Sequence, residues 1–348
     1  METAWFALIG FMLTVYVVLD GFDFGAGILH LFVAKTDEER RTVFAAIGPF
    51  WDGNEVWLVA AGGVLVFAFP RVYSAALSGF YMPLTILLWV LIVRGISIEF
   101  RSHERNPLWR AFWDAAFASA SLLIALVLGA ALGNLIRGVP LDGTGYFRSP
   151  LFTNFLTRPR PGTLDWYTLS VGVFTAAVLT GHGALYLWWK TSGLVAQRSA
   201  LIARRCWAAI GIMAIAVTAA TAWVRPALFE ALRYRIWAWP LLAVAVGGWA
   251  MVFRSIVRGK ELHAFLGSAA FIAGMLAVTA AEMFPTILPS MIDPAYSLTV
   301  WNAANGRQGL WIGLAWWIPA IVLAVGYFVY LFRSFRGKLT HRPETGGY

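Results

Sequence analysis

Nine apolar stretches, each about the length a helix needs to cross some 30 Å of hydrocarbon, dominate this sequence. They fall near 5–34, 44–69, 74–100, 113–136, 164–189, 203–223, 236–257, 263–284 and 310–332. Of the 348 residues, 59% are apolar and 13% charged, against roughly 45–50% and 25% in soluble domains. A mean hydropathy of +0.69 agrees. This composition excludes a soluble enzyme, a disordered chain and a nucleic-acid-binding protein, the last despite a net charge of +9. The single cysteine, Cys206, excludes an internal disulfide framework and a thiolate metal cluster. The first stretch does not read as a cleaved signal peptide, because it opens on Glu2 and carries Asp20 and Asp23.

The basic residues orient the chain. Of 27 Lys and Arg, 17 fall in the loops near 35–43, 101–112, 190–205 and 254–262 and in the C-terminal tail, all on one side of a nine-span topology. The positive-inside rule puts that side in the cytoplasm, with the C-terminus cytoplasmic and the N-terminus periplasmic. The expected architecture is an all-α polytopic membrane protein of nine transmembrane helices. It is arranged as two four-helix bundles, 1–136 and 164–284, plus one peripheral ninth helix with its tail, 310–348. Two long external loops, 137–163 and 285–309, join these parts. A short internal echo, Val18-Leu19-Asp20-Gly21 against Val178-Leu179-Thr180-Gly181, fits a duplicated bundle.

Charge at membrane depth is costly and usually marks a function or a paired site. Asp20, Asp23, Asp52, Glu55, Arg94, Glu99 and Glu282 fall inside the expected spans, all but Glu282 in spans 1 to 3. Asp20/Asp23 and Asp52/Glu55 are each spaced i,i+3, which puts two carboxyls on one helix face. At about 1.5 Å per residue, Asp20 and Asp23 lie roughly 21 and 16 Å from the cytoplasmic end of their span. Asp52 and Glu55 lie roughly 12 and 16 Å in, and Arg94 roughly 9 Å. Two readings follow. Arg94 and Asn54 neutralise and hydrogen-bond the acids in a purely structural knot, or the surplus carboxyls pass protons inward, with Asp52 and Glu55 as protonation sites.

The five histidines are His30, His103, His182, His263 and His341. No two are spaced i,i+4. His30 and His182, both near the cytoplasmic ends of odd-numbered spans, leave room for a bis-histidine haem, although no motif supports one. The glycines of spans 1 and 2, Gly21, Gly25, Gly27, Gly53, Gly62 and Gly63, allow close helix contact.

Several strings carry a specific resemblance. Gly48-Pro49-Phe50-Trp51-Asp52-Gly53-Asn54-Glu55-Val56-Trp57 and Leu19-Asp20-Gly21-Phe22-Asp23-Phe24-Gly25 resemble the signatures of subunit II of cytochrome bd quinol oxidases. Arg94 through Phe100-Arg101, His182-Gly183-Ala184-Leu185-Tyr186-Leu187, Phe284-Pro285-Thr286-Ile287-Leu288-Pro289-Ser290 and Ser297-Leu298-Thr299-Val300-Trp301-Asn302-Ala303 follow in the same order. Phe50 stands where many members have His, and Asn302 where the family often has Asp.

The resemblance implies a haem-free subunit that pairs with a similarly folded subunit I. Subunit I carries two b-type haems and haem d. The complex oxidises quinol and reduces dioxygen to water in aerobic respiration, building a membrane potential without pumping. In some members the resemblance implies a hydrophilic path at the aspartate matching Asp52 and a dioxygen path near the tryptophan matching Trp57. The intramembrane charges themselves extend the expected proton path to Asp20, Asp23, Glu55 and Glu99, with Arg94, Arg101, Asn54 and His182 as supporting polar groups. No catalytic, cofactor-binding or metal-ligating residue is expected in this chain. A small single-helix accessory subunit, membrane lipid and a bound quinone are further partners compatible with the family, whereas nucleic acid is not. A proton-coupled transporter built from two bundles is the alternative, weakened by the missing broken-helix Gly/Pro pair at matched positions.

Overall fold

A computed structural model describes residues 1–339, so His341 and the end of the tail lie outside the described residues. Among the described residues, eight helices are long and apolar enough to cross a membrane. A bent pair, α3 (Trp51–Ala68) and α4 (Pro70–Gly79), broken by 120°, is the candidate for a ninth. The others are α1 (Glu2–Val33), α5 (Tyr81–Phe100), α6 (Pro107–Arg137), α7 (Trp166–Lys190), α8 (Gly193–Val224), α10 (Trp239–Val257, preceded by one 3₁₀ turn), α11 (Glu261–Met283) and α12 (Arg307–Ser334). Two short helices, α2 (Asp37–Ile47) and α9 (Pro226–Tyr234), lie between spans.

The expected second and third spans need correction. Residues 44–47 belong to α2, which ends at Ile47 before Gly48 and Pro49. Pro49 has no N–H with which to continue the helix. The second span therefore begins at Trp51, and Asp52 sits in its first turn. The expected span 74–100 is also interrupted, because α4 stops at Gly79 and α5 starts at Tyr81. Pro83 explains this, since its ring would clash with the carbonyl four residues back, at Gly79.

α1 is the central element, packing on α3, α6, α7 and α11. Its closest neighbour in backbone terms is α7. A Cβ on Gly25 or on Gly183 would fall inside the other helix's backbone. Gly21 meets Leu179 at the same crossing, so the two echoed strings lie against each other. α10 pairs with α11, and α8 with α7 and α10. α12 lies along α3, with Phe332 stacked on Phe50 and Phe328 against Trp57.

The end of the bundle that holds α2 gathers the basic loops. α2 is fixed by a capping box, in which the Thr36 hydroxyl accepts from the Glu39 N–H and the Glu39 carboxylate accepts from the Thr36 N–H. Lys190 donates to the Phe335 carbonyl and Lys338 pairs with Glu261, which joins the ends of α7, α11 and α12 there. At the opposite end the loops 137–163 and 285–309 close over one another. The second holds a small antiparallel ribbon, β1 (Thr286–Leu288) with β2 (Leu298–Thr299). Val139 bonds to Pro289 and Met291, and the Ser290 hydroxyl donates to the Leu141 carbonyl.

Candidate functional site

α1 carries a polar stripe, Tyr16, Asp20, Asp23, Gly27 and His30, at alternating spacings of four and three residues. That spacing keeps all five on one helix face, the face covered by α3, α5 and α6. All five residues are buried.

At the middle of the stripe, Arg94 reaches in from α5 and is wholly buried. Its Nη2 donates to Asp20 Oδ1 at 2.9 Å and its Nη1 to Glu55 Oε1 at 2.5 Å. Asp23 Oδ2 lies 3.9 Å from the same guanidinium. Asn54 Nδ2 donates to Asp23 Oδ2 at 2.8 Å and approaches the Leu19 carbonyl at 3.2 Å. The guanidinium also lies over the Phe24 ring, 4.5 Å from its centroid. Three carboxyls thus surround one cation. Asp20 Oδ2, Asp23 Oδ1, Asn54 Oδ1 and the Tyr16 hydroxyl remain buried without a protein partner. Unpaired buried polar atoms are expensive, so this is where water or a proton would be held.

The structure separates other expected members from this centre. Asp52 is exposed, one turn before the half-buried Glu55, because the helix break at Gly48–Pro49 moves it to the end of the span. Glu99 is half-buried near the basic end, where its carbonyl accepts from His103. Glu282 is also half-buried, with its carbonyl accepting from Arg235. Trp57 is buried between Phe11 and Phe328, and its indole N–H has no partner. His182 makes no ion pair. It lies on the Phe265 ring, with Nδ1 2.6 Å from Ser268 Oγ and Nε2 3.0 Å from the Val18 carbonyl. A carbonyl only accepts, so Nε2 carries a proton toward Val18, while Ser268 Oγ, which lies against Nδ1, donates its own proton to the Phe265 carbonyl. Each ring nitrogen therefore has a polar neighbour within the protein.

Arg101 belongs to a second cluster, at the basic end, that the sequence reading missed. Its centre is Asp114, near the start of α6 and fully buried. Asp114 accepts from His30 at 2.6 Å, from Arg101 Nε at 2.6 Å and from Arg40 at 2.8 Å. Arg101 also bonds Asp37 at 2.8 Å, as do Arg110 at 3.0 Å and Arg41 at 3.1 Å. Partial burial opposes the charge on Asp37, but the hydrogen bond and charge of Arg101, then of Arg110 and Arg41, outweigh it and hold this carboxyl below its ordinary range. The cluster ties α1, α2, α5 and α6 together. Asp114 was legible as an acid one residue inside an expected span, but its partners lie on three other elements. Among the described residues, no three His, Cys, Asp or Glu side chains are grouped to hold a metal ion.

The outer face of α3 is bare. Asp52, Val56, Val59, Gly63 and Val66 are exposed at helical spacing, and α5 exposes Leu88, Trp89, Ile92 and Val93.

Comparison with known proteins gives a consistent result. The family model for cytochrome bd terminal oxidase subunit II matches residues 1–335. The cytochrome bd-I ubiquinol oxidase subunit 2 of Escherichia coli (strain K12) is 31% identical over 92% of this chain and 90% of that protein. The cytochrome bd ubiquinol oxidase subunit 2 of Bacillus subtilis (strain 168) is 28% identical over 97% of this chain and 96% of that one. A chain in the solved structure of the bd oxidase from Geobacillus thermodenitrificans shares the fold, with a TM-score of 0.73 at 17% identity, over 96% of this chain and 98% of its own length.

Proposed function

The chain belongs to the cytochrome bd terminal oxidase subunit II family, and from that premise we propose that it is the haem-free subunit of a quinol:dioxygen oxidoreductase. It stabilises a haem-bearing subunit I and delivers protons from the cytoplasm. The haems of subunit I supply the electron transfer and dioxygen reduction. This chain supplies helices, carboxyls and an apolar docking face.

The observation that carries the reading is the graded burial of the acids around Arg94. Asp52 is exposed on the bare face of α3, Glu55 is 28% exposed, and Asp20 and Asp23 are wholly buried. A proton taken up at Asp52 would pass one helical turn to Glu55, then across the Arg94 guanidinium's carboxylate partners to Asp20 and Asp23. With three carboxyls on one cation, the cluster has more acceptor groups than a closed ion pair uses. Glu99 lies toward the basic end of α5, where protons would enter. That end faces the cytoplasm by its excess of Lys and Arg. Protons drawn from that side for water formation build a potential without a pump.

The bare stripes on α3 and α5 are where subunit I docks, which would place Asp52 at the subunit boundary. Trp57, between Phe11 and Phe328, offers an apolar passage suited to dioxygen. The first and second groups of four spans, 1–136 and 164–284, act as two bundles joined by the α1–α7 crossing, and the carboxyl cluster around Arg94 lies in the first.

The test is a reduced-minus-oxidised spectrum of the chain purified alone and with subunit I. Haem absorbance only in the complex is expected. Haem on the isolated chain overturns the assignment, and a functional chain with no haem-protein partner would favour the transporter.

A further inference from the structure

We propose that a groove between α8 and α10, at the basic end, binds one anionic phospholipid. Its phosphate would rest on Arg204 and Arg205, and an acyl chain would run along Ala208, Phe253 and Ile256.

The groove has a volume of about 490 Å³ and is lined by Leu201, Arg204, Arg205, Ala208, Phe253, Ile256 and Val257. Its walls are apolar, its mouth is cationic, and no acid lines it. α8 has 32 residues, about 48 Å of helix, against about 30 Å of hydrocarbon. Its first turns must therefore stand outside the bilayer. The apolar run begins near Ala203, so Arg204 and Arg205 sit at the membrane boundary, at the height of a lipid phosphate. Both are exposed, and neither has a hydrogen-bond or ion-pair partner among the described residues. Two further exposed arginines, Arg254 and Arg258, flank the end of α10 and reinforce the positive field.

A guanidinium pair matches phosphate oxygens through forked N–H groups. Basic pockets between spans favour acidic head groups by about fivefold per arginine. Inorganic phosphate could use the mouth but not the apolar walls, whereas a phospholipid uses both. The remaining surfaces of α8 and α10 pack on α7 and α11, so the groove stays open on its outer side.

The test uses the purified assembled oxidase in detergent, titrated with dioleoylphosphatidylglycerol or dioleoylphosphatidylcholine and read by native mass spectrometry. The native complex is expected to retain one phosphatidylglycerol more tightly than any phosphatidylcholine. Arg204→Gln with Arg205→Gln should weaken that binding by about fivefold per arginine. Ala208→Trp, which fills the wall and leaves the arginines, should also release the lipid. Millimolar inorganic phosphate should not displace it. The proposal is overturned if the double glutamine variant holds phosphatidylglycerol as the native complex does, if the native complex shows no preference between the two lipids, or if phosphate alone displaces the lipid.

Discussion

Arg94 Nη2 stands 2.9 Å from Asp20 Oδ1, and both side chains are completely buried. The same guanidinium holds Glu55 through its other terminal nitrogen, so a single cation fastens α5 to both α1 and α3. Removing one partner of a buried pair leaves an uncompensated charge, which costs about 3–5 kcal/mol. Arg94→Met should therefore sharply reduce the amount of assembled oxidase in membranes. Arg94→Lys should recover only part of it, because one ammonium cannot reproduce the fork that spans Asp20 and Glu55. Haem content per milligram of membrane protein measures both.

The α1–α7 crossing allows a packing prediction. Gly25 and Gly183 touch through their backbones, so Gly183→Val must push the helices apart, with the loss of assembled complex as the readout. Gly10→Ala, where no atom lies within 4 Å of an added Cβ, should leave assembly unchanged.

Asn54 and Asp52 lie two residues apart and should respond differently. Asn54→Leu removes the donor to Asp23 Oδ2 and should destabilise the purified complex by about 1–3 kcal/mol. Asp52→Asn, a near-isosteric change at a position exposed on this chain and placed at the subunit I boundary, leaves no group of the Arg94 cluster unpaired and should change stability less than Asn54→Leu does. Thermal unfolding followed by tryptophan fluorescence distinguishes the two.

The contrast between these residues shows what a one-dimensional reading captures. The spans were legible because about 20 apolar residues have few other uses, and the burial of Asp20, Asp23 and Arg94 followed from their depth. The position of Asp52 was not legible, because a helix drawn through Gly48-Pro49 carries it several ångströms too deep. Asp114 was overlooked for a different reason. At the edge of a span an acid reads as interfacial, and only the folded chain brings His30, Arg40 and Arg101 onto it. The echo between spans 1 and 5 drew attention to two helices but gave no hint that they touch. It also hid an asymmetry: Thr180, which matches Asp20, spends its hydroxyl on the Ala176 carbonyl of its own helix.

The Asp37 carboxyl, held below its ordinary range by Arg101, Arg110 and Arg41 against its partial burial, predicts a pH dependence. A carboxyl with a lowered folded-state value contributes stability above its unfolded value, about 3.9, and loses it as pH falls through the lower folded value. Asp37→Asn lacks this contribution. The difference in Tm between the native complex and Asp37→Asn should be constant between pH 5 and 8 (roughly one unit above the free-acid value and beyond) and should shrink below about pH 4. A difference that grows toward acid pH would contradict the sign.

The central claim, that the carboxyls around Arg94 deliver protons, is tested most directly by quinol-driven oxygen consumption in a complex carrying Asp20→Asn and Asp23→Asn. Asparagine preserves the shape and a hydrogen-bonding oxygen for Arg94 but cannot exchange a proton. Turnover reduced by about tenfold or more, in a complex whose haem spectrum matches the native one, is the predicted result. Native turnover in that same complex would contradict the claim and leave the cluster as a structural knot.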